Sequence, residues 1–227
     1  MNKKIIFTAG GTGGHIFPAI NLMKYFSEKG YEVFLVTDFR GKKFIKDNTK
    51  LKSYVIKAGT FTKKNLIIKI FSIFIILYSM IKAVFILTKE KPDLVFGFGG
   101  YVSFPISFVS KFFNIPLVIY ENNMILGRAN KYLSIFSKKI FISRKIMDKF
   151  SQKYKRKIFE VGPILNKKII NYPEINKNSN IFSILVIGGS QGAEIFGKII
   201  PNIIKKLNDE VGKIKIYQQC VKGQQEE

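Results

Sequence analysis

Residues 4–19 read KIIFTAGGTGGHIFPA: an apolar run of strand length, a glycine-rich turn from Gly10 to Gly14, and the opening of an apolar-periodic stretch that continues from Phe17 to Lys29. Pro18 suits a first helical turn and Gly30 ends the helix. Tyr31–Thr37 (YEVFLVT) then returns as a second buried strand, so the first forty residues form a βαβ unit. The same grammar recurs. DLVFG (93–97) runs into Gly99-Gly100 and a helix, while PLVIY (116–120) and KKIFIS (138–143) add further strands. The expected fold class is α/β with parallel sheets.

From Gly162 to Asn180 the chain turns polar and loop-like (GPILNKKIINYPEINKNSN), with Pro163, Pro173 and several asparagines. The expected organisation is a domain over 1–165, a linker over 166–180 and a second domain over 181–227. That second part begins the pattern again, with the strand IFSILVI (181–187), the glycine loop Gly188-Gly189-Ser190-Gln191-Gly192 and a helix from Ala193 to Leu207. It is too short to close a doubly wound sheet of its own, so it reads as the start of a domain.

Composition narrows the class further. At 47% apolar and 23% charged residues, the 227-residue chain has too much to bury for a disordered segment. One cysteine, Cys220, and one histidine, His15, cannot assemble a tetrahedral Cys/His metal site or an intrachain disulfide, and the thiol usage suits a reducing compartment. The N-terminus shows no apolar secretory region, so a cytoplasmic chain is expected. With 38 basic against 15 acidic residues, net charge +23, the chain is drawn to phosphates, whether of nucleic acid, anionic lipid or a nucleotide substrate. Only Arg40, Arg128, Arg144 and Arg156 carry the guanidinium fork that base-edge readers favour, so no nucleic-acid partner is expected.

The segment LIIKIFSIFIILYSMIKAVFILT (66–88) approaches the length that spans a bilayer, but Lys69 and Lys82 interrupt it. Three readings stand: a spanning helix, a core helix, and a helix that exposes an apolar stripe. The flanking Lys63, Lys64, Lys69 and Lys82 give the last of these an affinity for an anionic bilayer.

A glycine loop between strand and helix leaves backbone N–H groups at the positive end of the helix, a ready phosphate site. Gly10–Gly14 lacks both the third glycine of a dinucleotide fingerprint and the Gly-Lys-Ser/Thr of a P-loop. Together with Gly97–Gly100 and Gly188–Gly192 it nevertheless falls at the carboxyl end of a parallel strand, where open α/β sheets bind ligands. His15 sits at the mouth of the first loop, where the helix end disfavours added positive charge, so it is a candidate proton acceptor for a sugar hydroxyl. The alternative is a histidine that only hydrogen-bonds phosphate or backbone. Glu121, at the end of a strand, is the rival base or else an ordinary solvated carboxylate.

Four motifs, GGTGGHIFPA (10–19), GFGGYVSFP (97–105), ENNMILGRANK (121–131) and GGSQGA (188–193), together resemble the MurG family. The resemblance covers essentially the whole chain. It implies a GT-B architecture of two Rossmann-like domains and an inverting transfer of N-acetylglucosamine from UDP-N-acetylglucosamine. The acceptor it implies is the C4 hydroxyl of lipid I, undecaprenyl-diphosphoryl-N-acetylmuramoyl-pentapeptide, and the product is lipid II for peptidoglycan. No cofactor and no metal are implied. His15 would be the base toward the acceptor; Thr12, Gly13, Gly14 and Asn123 would contact substrate; and Gly188, Gly189, Ser190, Gln191 and Gly192 would meet the donor diphosphate. The 63–88 segment resembles the patch by which the family docks on the cytoplasmic face of the membrane. The chain departs from the family pattern at Tyr120, where a histidine is usual, and at Asn166, where an arginine is usual unless Lys167 or Lys168 supplies the charge. The family also continues well past the position of Glu227. A second reading, a membrane-docking, acceptor-binding subunit or inactive remnant that needs a separate donor-domain chain, follows from that difference in length.

Overall fold

The computed structural model describes residues 3–45, 51–57, 59, 66–145, 154–173, 182–189, 193–211 and 214–220. Two compact units divide the chain, Met1–Ile170 and Asn171–Glu227. The first contains β1 (Lys4–Thr8), α1 (Gly13–Glu28), β2 (Glu32–Thr37), α2 (Phe39–Lys42), β3 (Lys52–Val55), α3 (Leu66–Glu90), β4 (Leu94–Gly97), α4 (Ser103–Ser110), β5 (Leu117–Glu121), α5 (Arg128–Leu133), β6 (Lys139–Ile142), β7 (Ile158–Glu160) and α6 (Lys167–Ile170).

Its seven strands lie in the order β3-β2-β1-β4-β5-β6-β7, every neighbouring pair parallel. The chain moves outward from β1 through β2 to β3, then crosses back to lay β4 on the other side of β1. Thr8 pairs with Gly97, so β1 and β4 end level and the loops that follow them emerge side by side. That is the switch point of a doubly wound sheet, where ligands bind.

Period-two alternation builds a core on each face. Ile6, Val95, Leu117 and Ile119 share one cluster with Ala83, Ile86, Leu87 and Ile106 from α3 and α4. Ile5, Phe7, Phe96, Val118 and Tyr120 share the other with Ile16, Ala19, Ile20 and Met23 of α1. Strands buried on both faces are what a parallel sheet requires, and each such side chain stabilises the fold by about 1.5–3 kcal/mol.

Three details differ from the sequence reading. Helix α1 begins at Gly13, four residues ahead of Phe17, because Gly13 and Gly14 enter the helix behind Thr12, and Pro18 lies in the second turn. The edge strands β3 and β7 were not foreseen; KSYV and IFE are short and largely outside the core clusters, so their apolar signal is weak. The first residues of the expected linker instead form α6, whose Lys167 pairs with Glu28 of α1. Residues 174–181 of that linker region lie outside the described residues.

The second unit carries one βαβ turn: β8 (Phe182–Val186), α7 (Glu194–Val211) and β9 (Ile214–Gln218), the two strands parallel with Phe182 opposite Ile214 and Val186 opposite Gln218.

Of the three readings of residues 66–88, the structure carries the exposed-stripe one. Helix α3 is long and apolar enough to cross a membrane, yet one face is committed to the sheet. Ser72, Ser79, Ala83, Ile86 and Leu87 are buried, and the Ser79 hydroxyl donates to the Lys57 carbonyl at 2.8 Å. The large side chains point the other way: Phe71, Phe74, Leu77, Tyr78, Ile81 and Phe85 are all exposed. Between Phe71 and Ala83 small residues lie inside and large apolar ones outside, the reverse of the usual arrangement of a surface helix, whereas Ile86 and Leu87 enter the core in the ordinary way.

Candidate active site

Three loops of the first unit meet at the carboxyl edge of the sheet. The loop after β1 turns through Gly10–Thr12 into α1, with Thr12 in extended conformation at the N-cap position. Its carbonyl accepts from the His15 and Ile16 amides at 3.1 and 3.2 Å, and its side chain makes no capping bond. No acidic residue sits in the first turn. Among the described residues the Gly13 and Gly14 amides therefore have no acceptor, and no carboxylate of α1's own first turn offsets the positive helix end.

The loop after β4 closes on this turn. A β-carbon at Gly100, whose φ is +81°, would stand 3.0 Å from the Gly10 carbonyl oxygen, so any side chain there would push the loops apart. Gly99, at φ +87°, would place a β-carbon 3.3 Å from His15 Nδ1 and 3.2 Å from Asn130 Nδ2. Both requirements, left-handed backbone and close approach, select glycine. His15 and Asn130 thus flank one bare α-carbon at the switch point. His15 Nδ1 is buried without a hydrogen-bond partner among the described residues, and so is Asn130 Oδ1 on a side chain only 1% exposed. Buried polar atoms are nearly always satisfied, so these two stand out, together with the Thr8, Thr37 and Ser107 hydroxyls, which are likewise without a partner among the described residues.

The loop after β5 is held by Glu121, which is buried and so is not an ordinary solvated carboxylate. The carboxylate is 1% exposed and accepts four hydrogen bonds: Oε1 from Asn123 N at 3.0 Å and Asn123 Nδ2 at 2.8 Å, Oε2 from Gly127 N at 2.9 Å and Asn130 Nδ2 at 3.0 Å. No face remains from which to take a substrate proton. Glu121 is the anchor that folds residues 122–127 and orients Asn130. Asn123 is exposed, with its amide nitrogen committed to that anchor.

Tyr120 replaces the family histidine with a fastener. Its hydroxyl accepts from Ile164 N at 3.2 Å and has the Gly162 carbonyl at 3.2 Å and Asn122 Oδ1 at 3.3 Å as acceptors. Burial raises the phenol above its ordinary pKa, which keeps it protonated as a donor. Tyr120→Phe should cost about 1 kcal/mol and lower Tm by about 2–4 °C. Calorimetry with amide exchange at Ile164 checks this; an unchanged Tm and unchanged protection would refute the tie. At the other departure, Asn166 caps α6, its Oδ1 accepting from Lys168 N at 2.9 Å. Lys167 is paired with Glu28, so Lys168 is the cation of this segment with no carboxylate partner among the described residues.

One further cluster carried no recognised spacing. Asp38, 5% exposed at the end of β2, accepts from Gly11 N at 3.3 Å, Gly41 N at 2.7 Å and Arg40 Nη2 at 3.0 Å, tying the first glycine loop to α2. In the second unit Gln219 grips the glycine loop from both sides: Gly188 N donates to its Oε1 at 3.1 Å and its Nε2 donates to the Gly189 carbonyl at 2.8 Å. Ser190, Gln191 and Gly192 lie outside the described residues.

A doubly wound parallel sheet with glycine loops at its switch point is the architecture of a GT-B-type glycosyltransferase domain. Residues 5–142 match the family model described as the glycosyltransferase family 28 N-terminal domain. The chain belongs to glycosyltransferase family 28. Its sequence is 37% identical to the UDP-N-acetylglucosamine--N-acetylmuramyl-(pentapeptide) pyrophosphoryl-undecaprenol N-acetylglucosamine transferase of Pelagibacter ubique, over 96% of this chain and 60% of that protein. The enzyme of the same name from Rickettsia canadensis is 36% identical, over 95% of this chain and 60% of that one. The chain therefore spans about 60% of the length of these curated relatives. Among solved structures, Acinetobacter baumannii MurG superposes with a TM-score of 0.73 at 26% identity, covering 98% of this chain and 62% of that one. A Staphylococcus aureus MnaA–UDP structure, at TM-score 0.65 and 15% identity over 97% of this chain and 62% of that one, shows the fold alone.

Proposed function

We propose that this chain is the acceptor-binding part of an inverting N-acetylglucosaminyltransferase that uses UDP-N-acetylglucosamine and lipid I and makes lipid II. The observation that carries the reading is the placement of His15 in the first turn of α1, between the two glycine loops, with its buried Nδ1 unpartnered among the described residues. In the reaction the acceptor C4 oxygen forms a bond to the donor anomeric carbon, from the face opposite the diphosphate. The bond from that carbon to the diphosphate oxygen breaks, and UDP leaves with the electron pair. His15 takes the proton of the C4 hydroxyl as the oxygen attacks. The Gly13 and Gly14 amides and the α1 dipole meet negative charge of the acceptor. Thr12 and Asn123 supply directional contacts, Glu121 fixes the loop, and Gly188–Gly192 serve the donor diphosphate.

Sugar transfer to a lipid I analogue tests the reading, with the chain assayed alone and together with the donor half of a relative, in cis or as a second polypeptide. Product is expected when both halves are present; acceptor and donor both bound without product overturns the proposal. Activity that appears only on adding a separate donor polypeptide identifies the chain as the acceptor-binding subunit.

The outer face of α3 supports docking on the cytoplasmic side of the membrane. It joins exposed aromatics to Lys82, whose Nζ stands 5.0 Å from the Tyr78 ring, on a chain of net charge +23. Phe74→Asp with Phe85→Asp, both at exposed positions, should leave Tm unchanged and weaken binding to anionic vesicles at least ~100-fold, since each large side chain contributes about 1.5–3 kcal/mol. Flotation with vesicles measures it; binding within threefold of the parent would exclude this face.

A further inference from the structure

Beside the switch point lies a cavity of about 580 Å³ walled by Gly59, by Ile76 and Met80 of α3, Tyr101 before α4, Phe104 in its first turn, and Tyr132 of α5, with Arg128 as the charged wall residue among the described ones. Its surroundings differ at its two ends. Tyr101 directly follows the Gly99-Gly100 loop, and Arg128 directly follows Gly127, which donates to Glu121. On the α3 side, Ile76 and Met80 are sequence neighbours of the exposed Leu77 and Ile81. The cavity thus lies between α3 and the segments that follow the β4 and β5 loops. Arg128 is exposed and has no carboxylate partner among the described residues.

Resting on the acceptor reading above, we propose that this cavity receives the first isoprene units of the acceptor's prenyl chain, with Arg128 pairing the adjoining diphosphate. Apolar walls with one unpaired cation at the loop end match an amphiphile whose charge sits at one terminus of a hydrocarbon chain. A helix- or peptide-like occupant would need polar partners for its backbone, and among the described residues the side chains of the wall supply only the Tyr101 and Tyr132 hydroxyls and the Arg128 fork. On this account the site measures the acceptor's tail as well as its sugar, and the domain draws the chain out of the bilayer along α3.

The test compares two soluble acceptors, the diphosphoryl-muramoyl-pentapeptide with a farnesyl chain and the same compound with none, by equilibrium binding to the purified protein without vesicles. The farnesyl form is expected to bind at least tenfold tighter. Tyr132→Ser, at a position 64% exposed, should remove that advantage while leaving the chainless compound unaffected, and Arg128→Gln should weaken both. Equal binding of the two compounds overturns the cavity proposal and leaves the acceptor reading standing. A farnesyl advantage that survives both substitutions places the chain elsewhere and overturns it too. Binding of neither compound defeats the acceptor reading itself, and this proposal with it.

Discussion

His15→Ala, in the chain supplied with a donor half, should lower the rate of sugar transfer by ~10²–10⁴-fold, the range that a positioned general base contributes. The side chain is at the third residue of α1 and only partly buried, so the loss should appear in kcat with Tm nearly unchanged. Acceptor affinity should move by no more than a few-fold, because the amides of Gly13 and Gly14 stay where the glycine turn holds them. A loss of less than about tenfold in kcat would remove His15 from the proton transfer and leave it as a hydrogen-bonding residue.

The second large effect belongs to Glu121. Glu121→Gln keeps the shape but turns one acceptor oxygen into a donor facing donors, and it removes the charge that strengthens all four bonds. The expected destabilisation is about 3 kcal/mol or more, a fall of about 6–12 °C in Tm for a chain of this size. Transfer activity should fall as well, since Asn130 and residues 122–127 lose their common anchor. Thermal unfolding separates this role from the alternative. A catalytic base would give an inactive Glu121→Gln with wild-type Tm, and that result would overturn the anchoring assignment.

Why one carboxylate was misread and the glycine loops were not is a matter of where the partners lie. Gly10–Gly14 and Gly97–Gly100 declare themselves locally, because each follows an apolar strand-length run and precedes helical periodicity. Glu121 instead meets Gly127 and Asn130, six and nine residues on, through a loop whose path no periodicity encodes. Asn130 was hidden for the same reason: its relation to His15 passes through Gly99, more than eighty residues from the histidine and about thirty from the asparagine. Helix α3 was ambiguous because nearly every position is apolar, so hydropathy could not choose a face. Residue size carries that information, with Ser72, Ser79 and Ala83 spaced to lie on one side.

That inverted helix has a practical corollary for handling the protein in water. A row of phenylalanines and isoleucines facing buffer will find other copies of itself when no bilayer is offered. If α3 docks on a membrane as proposed, oligomers or precipitates formed in detergent-free solution would report a missing lipid surface. Mild detergent that returns the chain to a single species would be acting as a substitute for that surface.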